Sequence, residues 1–405
     1  MALIQQHFDA LRTHLAPLEM GERDGRITVS PKSTDEVAAL MRYANEQKLT
    51  IEILGAGTKR GVGNAVAADV LLDMTKLAGV VAHSWQDLTA TVAAGTPWAT
   101  MQRALAQHHQ HVALDPLWPE IATVGGIIAT NDSGALRLKY GSLRDLIIGM
   151  TIVLADGTVA KSGGKVVKNV AGYDLHKLMT GAFGTLGVIT EVNFRLHPLP
   201  AETRAWTVTS AAAEPLGDLM LAVLDSQLST QAMQLRADAD GYALDVQLAT
   251  LPEVLTLQGE RLVEFARRAA PKTSGAFGAL QILDSKLFAA REELFAEAGV
   301  VIKATMLPSA VAALSSEVVR LGGTAVTQAT GIMFARFSED KAATAISALR
   351  ASIRVAGDGS LTVLRSAQGA ISTWGDLIAD PLTREIKRQF DPNSILNPGR
   401  FLGGI

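Results

Sequence analysis

The sequence predicts an α+β protein of two domains with a short C-terminal segment. Strand and helix signals are interleaved along the whole chain, but without the regular alternation that builds a doubly wound parallel sheet. At His197-Pro198-Leu199-Pro200 the prolines block both a helix and a central strand, and beyond them glycine thins while Ala, Leu and charged residues dominate. The chain has 405 residues, 48% hydrophobic and 19% charged, with 36 Gly and 14 Pro, enough for two or three domains at about 150 residues each and typical of a folded globular protein. The expected divisions are 1–199, 200–372 and 373–405.

In chain order, Ser33-Thr34-Asp35-Glu36 has the spacing of a capping box, and Val37, Leu40, Met41 and Ala44 follow at helical intervals, so a helix is expected over 34 to 48. Thr50 to Leu54 alternates as a strand and then breaks into a glycine loop, Gly55 to Gly63. Further strands are expected at 70 to 73, 89 to 94, 147 to 154 and 188 to 196, and a helix at 97 to 108 with Pro97 in its first turn. Beyond 200 the expected order is strand 204 to 210, helix 214 to 228, strands 232 to 237 and 242 to 249, and helix 252 to 269. Then come helix 286 to 297, strand 300 to 307, helix 309 to 320, a strand pair within 324 to 338 and helix 339 to 352, which suggests split βαβ units on an antiparallel sheet. A last helix over 381 to 390 ends in the turn-rich Asp391 to Arg400.

Composition narrows the function. A net charge of −3, from 37 basic and 40 acidic residues, supplies no positive field for nucleic acid or an anionic membrane. With no cysteine there is no disulfide, no thiolate catalysis and no cysteine-ligated iron–sulfur cluster, so any such cluster belongs to a partner. The N-terminus lacks a basic and an apolar signal region, and Leu146 to Ala155 is about half of the ~18 apolar residues a spanning helix needs. A cytoplasmic protein with no transmembrane segment is the expectation.

The chemistry lies in three glycine-rich segments. Gly55, Gly57, Gly61 and Gly63 let backbone N–H groups converge as an anion nest, with Ala56 within it, Thr58 as a hydroxyl donor and Lys59 or Arg60 as a source of charge. The Rossmann fingerprint is absent because Arg60 stands where its third glycine belongs. Gly163-Gly164-Lys165 is no P-loop, since Val159 and Val166 occupy its first glycine and its Ser/Thr positions. The second segment, Leu114 to Asp145, mixes small residues with Thr123, Asn131 and Ser133, so a long flat ligand can lie on exposed backbone. The third runs from Gly172-Tyr173-Asp174 into Gly181 to Glu191, where a strand starts directly after a glycine turn.

In this order and spacing the three segments resemble the flavin domain of the vanillyl-alcohol oxidase-type (PCMH-type) FAD-binding superfamily over 28 to 199, and Asn397-Pro398-Gly399-Arg400-Phe401 resembles its C-terminal return to the flavin. Within it the chain is most similar to the E-subunit family of bacterial glycolate oxidases. The resemblance implies a two-subdomain FAD-binding domain, a ferredoxin-like α+β cap domain, and a C-terminal helix and tail packing back on the FAD domain. It also implies a non-covalent FAD. Gly55 to Gly61 would cradle its pyrophosphate, while Asp115, Pro116, Thr123, Val124, Gly125 and Gly126 would follow the flavin ring and ribityl chain. Asn131, Gly134, Tyr140 and Gly141 would lie on the same flank. Gly184, Thr185, Gly187 and Ile189 would hold the adenine half, and Asn397 would close the site.

Relatives that oxidise 2-hydroxy acids with their own flavin carry histidines in the second domain as metal ligands or proton acceptors, a task suited to a base titrating near neutrality. Here the eight histidines are His7, His14, His83, His108, His109, His111, His176 and His197, with none beyond. No catalytic residue and no metal ligand set is assigned: His108-His109-x-His111 reads as a polar helix end, His176 as a structural histidine, Arg236 as a solvated strand residue, and the five tryptophans as core or interface. The leading expectation is an FAD subunit of a multi-subunit glycolate oxidase or dehydrogenase, oxidising glycolate to glyoxylate with a sister flavoprotein and an iron–sulfur subunit, held at the inner membrane face by those partners. The alternatives are a self-sufficient 2-hydroxy-acid dehydrogenase with His176 as base, and a scaffold that has lost the cofactor. The retained glycines 55, 57, 61, 125, 126, 184 and 187 argue against the scaffold.

Overall fold

A computed structural model describes residues 18–23, 25–164, 174–269, 281–283, 287–357, 359–366, 371–375 and 377–405. Lys165, Val166, Gly172 and Tyr173 lie outside them. The chain forms two compact units, one from Met1–Asp132, Ser142–Leu199 and Asp376–Ile405, the other from Ser133–Gly141 and Pro200–Gly375. Residues 133–141, read in sequence as part of the first domain, and 373–375, read as part of the C-terminal segment, thus group with the second unit.

The first unit opens with strands β1 (Glu19–Arg23) and β2 (Arg26–Ser30), helix α1 (Thr34–Gln47), β3 (Ile51–Leu54) and β4 (Val70–Asp73). Ser33 caps α1 by accepting from Glu36 N, the Glu36 carboxylate accepts from Lys32 N, and Val37, Leu40, Met41 and Ala44 turn inward. The helix stops at Lys48, which adopts a left-handed φ of 56°. The four strands form one sheet, β1-β2-β4-β3, in which β4 runs parallel to both neighbours.

An antiparallel sheet follows, ordered β5-β6-β10-β8-β9, from β5 (Val80–Ser84), β6 (Thr89–Ala93), β8 (Ile147–Val153), β9 (Val159–Gly163) and β10 (Val188–Arg195). Helix α2 (Trp98–Ala106) buries Trp98 edge-on against Phe194. Pro97 is its N-cap and not a first-turn residue, and the helix ends two residues before the expected 108. A two-residue strand β7 (Gln110–His111) pairs with β11 (His197–Pro198), and short helices include α3 (Val124–Ala129) and α4 (Leu175–Met179).

The second unit contains β12 (Glu202–Ser210), α5 (Glu214–Leu224), β13 (Thr230–Asp238), β14 (Gly241–Thr250), α6 (Pro252–Ala269) and β15 (Gln281–Leu283). The same order recurs in β16 (Val300–Thr305), α7 (Val311–Arg320), β17 (Thr324–Gln328), β18 (Ile332–Phe337), α8 (Glu339–Ala356) and β19 (Ser360–Arg365). All eight strands join one antiparallel sheet, β15-β12-β14-β13-β17-β18-β16-β19. Each half has the ferredoxin-like order, and the halves meet where β13 pairs with β17. A continuous core of Leu244, Val246, Met233, Ile302, Met333 and Ala335, with residues of α5 to α8, fills one face.

Four expected helices of the second unit differ, α8 by running on to Ala356 past the expected 352. The helix expected over 214 to 228 ends at Leu224, because Ser226 Oγ turns back to the Val223 carbonyl and accepts from Leu228 N. That expected over 286 to 297 shrinks to Ala290–Glu293. That expected over 309 to 320 starts as a 3-10 turn at Pro308–Ala310. The first unit is completed by α9 (Pro381–Phe390), capped by Asp380, after which Ile51 N donates to the Ile395 carbonyl and Asn397 N to the Ile51 carbonyl.

Candidate cofactor site

Strand β3 delivers the chain into the turn 55–61 at one wall of a cavity in the first unit. The turn is held by Arg60 N donating to the Gly57 carbonyl and Val62 N to the Lys59 carbonyl, while the N–H groups of Ala56, Gly57 and Thr58 make no hydrogen bond to any described group. Consecutive donors left unpaired on a cavity wall mark a place for acceptor atoms of a ligand. Thr123, Gly125, Gly126, Gly184, Gly187 and Ile189 line the same cavity.

The glycines serve two purposes. At Gly57, φ is +76° and an added Cβ would meet nothing within 4 Å, so the turn needs glycine and leaves space for a ligand. At Gly55 an added Cβ would collide with Thr123 Oγ1, at Gly125 it would come within 3.0 Å of Ala94 Cβ, and at Gly184 within 2.6 Å of Asn397 Nδ2. Those three positions are fixed by packing within the protein, so their retention carries no weight against a cofactor-free scaffold.

The C-terminal return organises the site. Asn397, 2% exposed, accepts from Ile53 N through Oδ1 (2.8 Å) and donates from Nδ2 to the Phe183 carbonyl (2.6 Å), tying the end of β3 to the turn before Gly184. Lys387 is also buried: Nζ donates to Asp391 Oδ2 (2.6 Å) and to the carbonyls of Thr185 (2.9 Å) and Leu396 (3.2 Å). Arg400 reaches under the glycine turn, where Nη2 donates to the carbonyls of Lys59 (3.0 Å), Arg60 (3.5 Å) and Val62 (3.3 Å). Lys387 and Arg400 were not among the expected site residues, because a lysine in a helix and an arginine after a glycine carry no local signal of where they reach.

Lys59 and Arg60 do not present free charge to the cavity. Lys59 Nζ lies 3.2 Å from Asp132, whose carboxylate also accepts from Leu117 N, and above the Trp118 ring. Arg60 makes a two-pronged pair with Glu52 (2.9 and 3.0 Å), which Arg26 contacts at 2.7 Å. These guanidiniums keep the Glu52 carboxyl below its usual range although its burial acts the other way.

Other expected residues lie off this wall. Gly61 is exposed, Val124 is spent on a backbone bond to Thr96, and Thr185 is buried with Oγ1 donating to the Ala182 carbonyl. Asp115, Pro116 and Asn131 belong to the first unit without lining the cavity, and Asn131 adopts a left-handed φ of 48°. Gly134, Tyr140 and Gly141 group with the second unit, where Tyr140 Oη accepts from Gln231.

His176 is buried, with Nδ1 3.1 Å from Ser162 Oγ, and burial holds it below its ordinary pKa; it does not line the cavity. Arg236 is no solvated strand residue, since it pairs two-pronged with the fully buried Asp245 (2.7 and 3.0 Å), which also accepts from Thr207. His108 stacks on the half-exposed Trp85 with His83 edge-on to it, and Trp98 and Trp206 are core residues. Among the described residues no group of three His, Asp or Glu is placed to hold a metal, and no helix is long and apolar enough to cross a membrane.

Unpaired donors on a glycine turn that lines a cavity suit the phosphate groups of a dinucleotide. Residues 26–163 match the model of the FAD binding domain family. The chain is similar to the glycolate oxidase subunit GlcD of Bacillus subtilis (strain 168), 35% identical over 200 residues covering 48% of this chain and 42% of that protein. It is also similar to the glycolate oxidase subunit GlcE of Escherichia coli (strain K12), 35% identical over 173 residues covering 42% and 49%. The chain thus spans about half the length of the curated relatives it matches. In fold it is similar to a glucooligosaccharide oxidase of Acremonium strictum, with a TM-score of 0.72 at 14% identity over 98% of both chains. Residues 26–163 thus match an FAD-binding domain, the chain shares the fold of that oxidase and includes a ferredoxin-like α+β unit, and FAD is the cofactor that the match supports.

Proposed function

We propose that this chain is the non-covalent FAD-binding subunit of a multi-subunit glycolate oxidase or dehydrogenase that oxidises glycolate to glyoxylate. The observation that carries this is a candidate cofactor cavity that no Asp, Glu, His or Tyr lines among the described residues, in a chain with no histidine beyond His197. Removing the two hydrogens of a CH–OH group needs a base for the hydroxyl proton. Bound FAD supplies a two-electron acceptor. The chain's own residues bind and orient it: the N–H groups of Ala56, Gly57 and Thr58 take the diphosphate, Thr123, Gly125 and Gly126 the flavin side, and Gly184, Gly187 and Ile189 the adenine side. Among the described residues no His, Tyr or Cys lines the cavity, which supports non-covalent attachment. Substrate oxidation then falls to a sister flavoprotein, and, with no cysteine in this chain, onward transfer to an iron–sulfur subunit. The similarity to two glycolate oxidase subunits supports the substrate class.

The test is an absorption spectrum of the gently purified chain followed by anaerobic glycolate. Flavin bands that persist with glycolate and bleach once partner subunits are added are expected. Rapid bleaching of the chain alone would overturn the division of labour and favour a self-sufficient dehydrogenase. In that reading His176 is the base, and unchanged turnover in His176→Ala would remove it.

A further inference from the structure

Three cations line the cavity, and they differ in what neutralises them. Lys59 is matched by Asp132, and Arg60 shares the single carboxylate of Glu52 with Arg26. Arg400, only 5% exposed, hydrogen-bonds through Nη2 to neutral carbonyls alone, and its Nε is buried without a partner. Arg400 thus brings to the unpaired N–H groups of the glycine turn a guanidinium whose hydrogen bonds, among the described residues, reach only carbonyls. Carbonyl contacts orient a guanidinium but do not cancel its charge, and a buried charge without a counter-charge is costly unless a ligand supplies one. Burial and the neighbouring Arg60 both weaken the hold of Arg400 on its proton, while Glu52 opposes them.

We propose that Arg400 is the counter-charge for a ligand diphosphate in this cavity, so that it selects ligands carrying a dianionic diphosphate over uncharged analogues. This rests on the FAD reading and names the residue that the expected Lys59 or Arg60 cannot be. It also gives the C-terminal return a binding role: the segment that braces the turn carbonyls brings the charge.

The test uses the full chain stripped of flavin and titrated calorimetrically with FAD, ADP and adenosine. Wild type is expected to prefer ADP to adenosine at least tenfold at low salt, the preference falling as salt rises. Arg400→Gln is expected to weaken ADP and FAD by at least tenfold and leave adenosine unchanged, and Arg400→Lys to recover most of the loss. Equal weakening of ADP and adenosine in Arg400→Gln would reduce Arg400 to a brace, and an unaltered preference would overturn the proposal outright. Should Arg400→Gln lack a cooperative melt, the salt dependence of wild type decides: an ADP-to-adenosine ratio that ignores salt overturns the proposal. Wild type that binds ADP in this way but not FAD would sink the flavin reading and leave the charge assignment standing.

Discussion

Gly55 and Gly57 stand two residues apart on one turn, yet a methyl group added at each meets different surroundings. At Gly55 it strikes Thr123 Oγ1, the N-cap of α3, so Gly55→Ala is expected to destabilise by about 1–3 kcal/mol. The double variant with Thr123→Ala should cost less than the two singles summed, read from urea midpoints. At Gly57 the methyl group enters open space, so Gly57→Ala should lower ligand-free stability only by the ~1 kcal/mol of a left-handed alanine, while FAD binding by fluorescence quenching weakens at least tenfold. From sequence the two are indistinguishable, since a missing side chain does not say what occupies its place. His111 shows the same limit: its partner across the ribbon, His197, is 86 positions away in the chain, and burial followed by repulsion from His197 lowers its pKa to about 4. Its unfolded value is higher, so the unfolded chain binds more protons between about pH 6.5 and 4 and stability is lost as pH falls through that window. A loss on the order of 1–2 kcal/mol between pH 7 and 5 is expected, and His111→Gln should flatten that slope in urea titrations at the two pH values.

At the scale of elements, α1 was legible because its cap and its apolar stripe lie within fifteen residues, and β3 because alternation ends at a glycine. The edge strands β1, β5 and β9 were not, since each keeps mostly exposed or half-exposed positions and gives no alternating signal. The C-terminal return was legible as turn-rich but not as a clamp. Lys387 on α9 and Asp391 just beyond it form a buried pair whose carboxylate also accepts from Ile395 N and Leu396 N, which fixes the turn that presents Asn397 to β3. Lys387→Met would leave that carboxylate buried without its cation, a loss of about 3–5 kcal/mol. Melting followed by circular dichroism should show the drop, and flavin should be released at lower temperature. Wild-type behaviour would mean that the buried pair does not hold the return in place.

At the scale of the molecule, two cores stand behind the two units. The apolar residues of α1, β3 and β4 cluster with Ile395 and Leu396, whereas the large core of the second unit draws its buried residues from Trp206 onward, with Leu138 packed against them. Each core is large enough to melt as its own cooperative step. The candidate cofactor cavity is lined, among the described residues, wholly by residues of the first unit, from Ile53 to Arg400. A ligand stabilises only the transition of the part it binds, by about 2.7 kcal/mol at a hundredfold excess over its dissociation constant. Calorimetry of the full chain is therefore expected to resolve two transitions, of which added FAD raises one. Because the first unit includes the last thirty residues of the chain, Lys387→Met should lower the FAD-responsive transition and leave the other in place. A single transition that moves as a whole with FAD would show that the two units unfold as one and that the flavin stabilises both.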